Sequence, residues 1–248
     1  ISSKTKGIIA VHLFGQMCDL ESTNNICERH DLFLVEDCAQ SHFSKYNDIF
    51  AGLHGDLGTF SFYPGKNLGA YGDTGAIITN NADLANYTRM FANHGGLKKH
   101  VHEMPGINSR MDGLQAAILL VKMNKIFQWT EDRNKISQKY SKELSKISQI
   151  KIPKIRSNSK HSFHQYVIKT PQRDELRIFL KKNGIDTLIH YPVSLPYIPI
   201  FNLHLKEKEY FPMAKKNQEE CLSLPIYPEL LNQEIDYIIS IIKIFFEK

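Results

Sequence analysis

Short apolar runs alternate with stretches of helical length through the first part of the chain, and that alternation restricts it to an α/β layer architecture. Gly7 to Leu13 (GIIAVHL) reads as a buried strand, Asp19 to His30 as a helix, and Leu32 to Val35 (LFLV) as a second strand. Thr59 to Tyr63 (TFSFY) and Gly75 to Thr79 (GAIIT) read as two more, with the glycine-bearing stretch Pro64 to Asp73 between them. In open sheets of this kind, ligands are held where the strands end, so the loops after these runs are where function is sought.

Farther along, Met111, Leu114, Ile118 and Val121 recur at spacings of three and four, which predicts an amphipathic packing helix capped by Asn108 or Ser109. Past Trp129 the composition shifts to Lys, Ser, Gln and Ile through Lys160, the mark of a long connecting helix and a second domain. With 248 residues the chain is long enough for two modest cores. The reading is a large domain over 1–128 and a smaller α+β domain over 129–248. In the latter, Thr170-Pro171 opens a helix that Gly184 ends, and Ile235, Ile238, Ile239 and Ile242 line one face of a last helix over Glu234 to Phe246.

Composition excludes some classes of function. No run approaches the roughly 18 apolar residues of a membrane span, so no membrane partner is expected. The net charge of +5 comes from 31 Lys and Arg spread among 26 acids, without a dense basic block, which suits a phosphate-bearing small ligand and does not call for nucleic acid. Cys18, Cys27, Cys38 and Cys221 show no disulfide spacing, and no secretory signal is present, as expected of a cytoplasmic protein. The opening ISSKTKG lacks an initiator methionine and reads as a chain already under way.

Candidate chemistry concentrates in two stretches. LFLVEDCAQ sets Glu36, Asp37 and Gln40 after an apolar strand, and LGTFSFYPGKNLGAYGDTG sets Ser61 and Lys66 around a glycine-bearing turn. An amine, a carboxylate and a hydroxyl are what pyridoxal 5'-phosphate requires: the amine condenses with its aldehyde, the carboxylate keeps its ring nitrogen protonated, and the hydroxyl helps to hold its phosphate. A nearby anion raises the ring nitrogen's pKa, and burial drives a lysine toward its neutral, nucleophilic form. Any α/β protein has an Asp after a strand and a Lys in a loop, so these residues alone do not decide the matter.

The wording of the motifs adds more. VHLFGQ (Val11 to Gln16), VEDCAQSH (Val35 to His42), GDLGTFSFYPGKNLGAYGDTGAI (Gly55 to Ile77), NHG (Asn93 to Gly95), INSRMDGLQAA (Ile107 to Ala117), HYP (His190 to Pro192) and LSLPIYPEL (Leu222 to Leu230) stand in one order. Together they closely resemble the DegT/DnrJ/StrS family of nucleotide-sugar aminotransferases. The resemblance implies fold type I, with a three-layer α/β/α large domain, here without its N-terminal portion, and a smaller α+β domain. It implies Lys66 as the catalytic amine, Asp37 at the pyridine nitrogen, Gln40 at the ring's 3′ oxygen, Ser61 at the phosphate and Asn108 reaching a neighbouring subunit's cofactor. His164 and Tyr191 are its substrate-side candidates. It further implies a homodimer with shared active sites and transfer of an amino group from a donor such as glutamate to a nucleotide-linked keto sugar. The YPGKNLGAYGD wording is nearer to members acting on dTDP-linked 3-keto-6-deoxyhexoses. Family members are longer at the N-terminus, and Ser41, Phe43 and Thr74 depart from the residues the family favours.

Plainer readings stand beside these. Asp37 could cap a helix, Gln40 could satisfy a backbone group, and His164 could be structural. His100 and His102 form an HxH without supporting ligands, so no metal is expected. Gly65-Lys66 lacks the flanking residues of a phosphate loop, and Gly52, Gly55 and Gly58 are not a dinucleotide fingerprint. Two further functions stay open: a pyridoxamine-dependent sugar dehydratase, which in the resembled family carries histidine where Lys66 stands, and a truncated relative that binds no cofactor.

Overall fold

Alternation along each strand decides which side chains share a face, and it sets the geometry of the first half of the chain. The computed structural model describes residues 1–202 and 211–247. Its first strands are β1 (Gly7–Val11), β2 (Phe33–Asp37), the short pair β3 (Lys45–Tyr46) and β4 (Ile49–Phe50), β5 (Leu57–Ser61) and β6 (Gly75–Ile78). The main sheet has the order β1-β2-β5-β6, with β1, β2 and β5 parallel and β6 antiparallel. Asp37 stands opposite Val11 on one side and Thr59 on the other.

One face of this sheet carries the core. Ala10, Leu34 and Cys38 pack with Leu20 and Cys27 of α1 (Leu20–His30) and with Met17 and Ala51. Asp19 caps α1, its Oδ1 accepting from Ser22 N at 3.2 Å, and Asp31 ends it in the left-handed region at φ 50°. The opposite face holds Ile9, Val11, Phe33 and Ile77, all exposed. Asp37, Thr59 and Ser61 belong to that open face by alternation and register.

Beyond β6 come α2 (Ala82–Ala92), α3 (Gly113–Met123), α4 (Ile126–Leu144) and the short strand β7 (Ser159–Lys160), which joins the sheet β4-β3-β7. The expected helix after Asn108 begins later, at Asp112 as N-cap, and its expected packing face is corrected. Leu114 and Val121 are exposed, and Leu119 is the buried residue, in a cluster with Leu68, Ala70 and Ile126. A spacing of three and four marks a stripe but not which stripe the chain itself covers.

The chain divides into two units, one of Ile1–Glu131 with Ile155–His164, the other of Asp132–Lys154 with Gln165–Lys248. His164, expected from a second domain, is therefore part of the first unit. In the second unit β8 (Tyr166–Lys169) pairs antiparallel with β9 (Cys221–Leu224), and α5 (Arg173–Lys182), α6 (Pro199–Asn202), α7 (Pro212–Glu220) and α8 (Asn232–Phe246) complete it. Thr170 Oγ1 accepts from Gln172 N at 3.3 Å ahead of α5, and Gly184 follows that helix at φ +74°. Ile235, Ile238, Ile239 and Ile242 of α8 are buried, as the spacing predicts. Each such side chain contributes about 1.5–3 kcal/mol of apolar burial.

Candidate active site

Glu36 and Asp37 are adjacent at the end of β2 and must point to opposite faces of the sheet. The core takes Glu36, which is fully buried. Its Oε2 lies 2.9 Å from His12 Nε2 and accepts from Gly52 N at 2.9 Å, while its Oε1 accepts from His54 N at 2.7 Å and Gly55 N at 2.8 Å. Burial alone would raise the Glu36 pKa; His12 and the three amides outweigh it and hold the carboxyl below its ordinary range. Glu36 is thus no ligand-side group, which corrects the grouping of Glu36 with Asp37 and Gln40. His12, Glu36 and Cys38 gather ligand-type atoms within 4.8 Å of one another. Hydrogen bonds already occupy the Glu36 oxygens and both His12 nitrogens, Nδ1 accepting from Cys18 N at 3.2 Å, so this cluster is a polar strut and not a metal centre.

Asp37 goes to the open face and is half-buried, with Oδ1 accepting from Ala39 N at 3.0 Å. Ser61 ends the neighbouring strand on the same face, its Oγ accepting from Tyr63 N at 3.3 Å. Lys66 follows in a turn closed by Lys66 N donating to Tyr63 O at 2.8 Å. Its side chain is half-buried. Burial pushes the Lys66 pKa down, and the Asp37 carboxylate partly opposes this, so the amine and the carboxylate lie within electrostatic reach of each other. Asp37 and Ser61 thus share one face at the carboxyl ends of two parallel strands, with the Lys66 amine in electrostatic reach of the carboxylate, the position expected of a ligand site.

His42 is a neighbour the sequence did not single out. Its ring is 2% exposed, with centroids 5.7 Å from Phe60 and 5.6 Å from Phe62. Burial first, and the positive charge of Lys66 second, push its pKa down to about 4, against a smaller pull from the Ser61 backbone. The ring is neutral at neutral pH.

Gln40 is buried, and its Oε1 accepts from Phe14 N at 2.6 Å, with Phe14 in the left-handed region at φ 62°. The plain reading of Gln40 as a backbone partner is thus realised. Asn67, next to Lys66, donates through Nδ2 to Ser162 O at 3.0 Å, and its Oδ1 lies 3.2 Å from His164 Nδ1. Ser162 N donates to Gly15 O at 3.0 Å and Ser162 Oγ to Gln40 O at 3.3 Å. The segment 155–164 therefore ties together the turns that carry Gln40 and Lys66. Asn108 is exposed, its Oδ1 accepting from Arg110 Nε at 3.2 Å. Tyr191 lies in the second unit, exposed, edge-on to His190 with centroids 5.5 Å apart. His100 and His102 are exposed, and His102 Nδ1 lies 2.7 Å from His94 O.

Residues 1–243 match the DegT/DnrJ/EryC1/StrS aminotransferase family. The chain belongs to that family. It is similar to a pleiotropic regulatory protein of Geobacillus stearothermophilus, 44% identical over 99% of this chain and 67% of that one. It is also similar to a dTDP-3-amino-3,6-dideoxy-alpha-D-galactopyranose transaminase of Aneurinibacillus thermoaerophilus, 38% identical over 97% of this chain and 65% of the relative. Among solved structures it matches the S. venezuelae DesV in complex with a ketimine intermediate, with a TM-score of 0.97, 35% identity, and coverage of 100% of this chain and 67% of that one. The chain spans about two thirds of the length of these relatives. The α/β aminotransferase fold expected from the motifs is the fold of the family. Among the described residues no helix is long and apolar enough to cross a membrane.

Proposed function

We propose that this chain carries the lysine-bearing part of a pyridoxal 5'-phosphate-dependent aminotransferase that places an amino group on a nucleotide-linked keto sugar. The carrying observation is the half-buried amine of Lys66 within electrostatic reach of Asp37, at the carboxyl ends of parallel strands. The donor set fits the cofactor: Lys66 for the aldehyde, Asp37 for the ring nitrogen, Ser61 for the phosphate. When bound, pyridoxal phosphate supplies an electron sink for charge developing on a substrate carbon.

The side chains have matching tasks. Lys66, with burial favouring its neutral form, takes up and returns a proton at Nζ. Asp37 offers a fixed anion at a strand end, and Gln40 faces the ring's 3′ oxygen in this reading. Asn108, exposed in a single chain, suits contact with a second copy in a homodimer with shared sites. His164 and Tyr191 are assigned to the sugar side. The amino donor is an amino acid such as glutamate, the acceptor a dTDP-linked 3-keto-6-deoxyhexose, and the compartment the cytoplasm. We retain a division of labour near residue 128, with cofactor binding before it and a smaller domain after it, apart from 155–164, which belongs to the first unit. Lys66 speaks against the dehydratase reading.

The test is spectroscopic. Protein mixed with pyridoxal phosphate should show a band on the order of 400–430 nm, and borohydride should fix the label on the peptide containing Lys66; Lys66→Ala should lose both. A protein that stays colourless overturns the reading in favour of a non-catalytic relative. Turnover with dTDP- and UDP-linked keto sugars then separates acceptors.

A further inference from the structure

We propose that Glu36 and His12 are positioning residues for Asp37, clamping the end of β2 so that the neighbouring carboxylate stands at one fixed place on the open face of the sheet. Strand alternation puts a buried anion and a ligand-side anion on adjacent residues of one strand, so holding the first restricts the second.

The clamp is closed from three directions. The Glu36 carboxylate is held by His12 Nε2 at 2.9 Å and by the amides of Gly52, His54 and Gly55 at 2.7–2.9 Å. The main chain of His12 brackets the same strand end: His12 N donates to Asp37 O at 3.0 Å, and Ser41 Oγ donates to His12 O at 2.6 Å. On the other side Cys38 N donates to Thr59 O at 2.8 Å. Both clamp residues are fully buried, and Glu36 points away from the open face that carries Asp37 and Ser61. A buried carboxylate with four partners is a costly way to fill a core, and in some proteins such groups fix one arrangement where apolar side chains would only fill space. Here the arrangement fixed is the turn from Asp37 through Ser41, whose first bond is Ala39 N to Asp37 Oδ1 at 3.0 Å.

The assignment of a task to Asp37 rests on the proposed cofactor reading, whereas the clamp is readable without any cofactor. The experiment compares His12→Ala and His12→Gln in the cofactor-free chain, by amide hydrogen exchange and by carbon NMR of labelled Asp37. Loss of one charge-assisted hydrogen bond predicts about a tenfold fall in protection of the Ala39 amide in His12→Ala. It also predicts more than one Asp37 carboxyl environment, both restored by His12→Gln, whose side-chain amide reaches Glu36. Protection at β6 should change far less. Unchanged Ala39 protection and a single Asp37 signal in His12→Ala overturn the proposal, and so does an equal loss across the whole sheet that His12→Gln does not rescue. If His12→Ala does not fold, His12→Asn takes its place, since its amide falls one bond short; equality of the Asn and Gln variants then overturns the clamp. With pyridoxal phosphate added, a clamp that passes while Lys66 stays unlabelled sinks the cofactor reading alone.

Discussion

His164 Nδ1 lies 3.2 Å from Oδ1 of Asn67, the residue that follows Lys66. The same amide donates to Ser162 O at 3.0 Å, so one buried side chain holds the Lys66 turn to a segment almost a hundred residues away in sequence. Replacing Asn67 by Ala removes both bonds, and the expected cost is about 1–3 kcal/mol per buried group left without its partner. Asn67→Asp should cost at least as much, because a carboxylate oxygen replaces the donor facing the Ser162 carbonyl. Denaturant melts measure the loss. A melt within error of wild type for both variants would show that the strap does not hold the turn.

How far this was legible in the sequence follows from where the information lies. Asp37, Ser61 and Lys66 could be placed at strand ends and in a turn from the sequence because such positions are written locally, in apolar runs and glycine-bearing turns. The side on which Glu36 points was not found. The expected strand stopped at Val35 while β2 runs to Asp37, and the alternation that separates Glu36 from Asp37 holds only inside the strand. The return of 155–164 to the first unit was also missed, since its bonds join Ser162 and His164 to Gly15, Gln40 and Asn67 and have no local signature. His42 could have been flagged as a histidine five residues past an apolar strand, but its two aromatic neighbours come from β5 and the residue just after it.

The electrostatic pairing of Asp37 with Lys66 makes a signed prediction. The carboxylate raises the Lys66 pKa against the larger effect of burial. Asp37→Asn removes only the opposing influence, so the amine should become more acidic still. In pH-dependent lysine labelling read by mass spectrometry, Lys66 should react at lower pH than exposed lysines do, and at lower pH again in Asp37→Asn. A rise in the Asn variant would mean that the two groups do not share one environment.

Two buried histidines predict acid sensitivity. The pKa of His42 is pushed down to about 4 and that of His161 to about 3, both from 6.5 and both chiefly by burial. Phe163 N donates to His161 Nδ1 at 2.9 Å, which requires that nitrogen to be unprotonated. Below pH 6.5 the unfolded chain binds protons that the folded chain refuses, so the stability these rings contribute is complete above pH 6.5. It falls toward pH 4 for His42 and pH 3 for His161, by about 1.4 kcal/mol per pH unit for each ring. His42→Phe keeps the packing against Phe60 and Phe62 and removes one of the two protons. Denaturant melts between pH 7 and 4 should show a shallower decline in that variant. An unchanged slope would place His42 in contact with solvent or with a proton acceptor.

Gly15 is the point at which a single methyl group tests the strap from its other end. Its φ of +111° is open to glycine and rarely to other residues, and a Cβ there would lie 2.6 Å from Ser162 Oγ and 2.8 Å from Phe163 N. Neither neighbour can withdraw freely: Ser162 N donates to Gly15 O at 3.0 Å, and Phe163 N is engaged by His161. Gly15→Ala should therefore displace 161–163 and cost more than the ordinary 1 kcal/mol or so of a point substitution. Through Ser162 and Asn67 the displacement should reach the Lys66 turn, so amide exchange at Lys66 and Asn67 should quicken together with that at Ser162. Faster exchange at Ser162 alone would show that the strap ends at Gly15 and leaves the lysine turn to be held by its own backbone bonds.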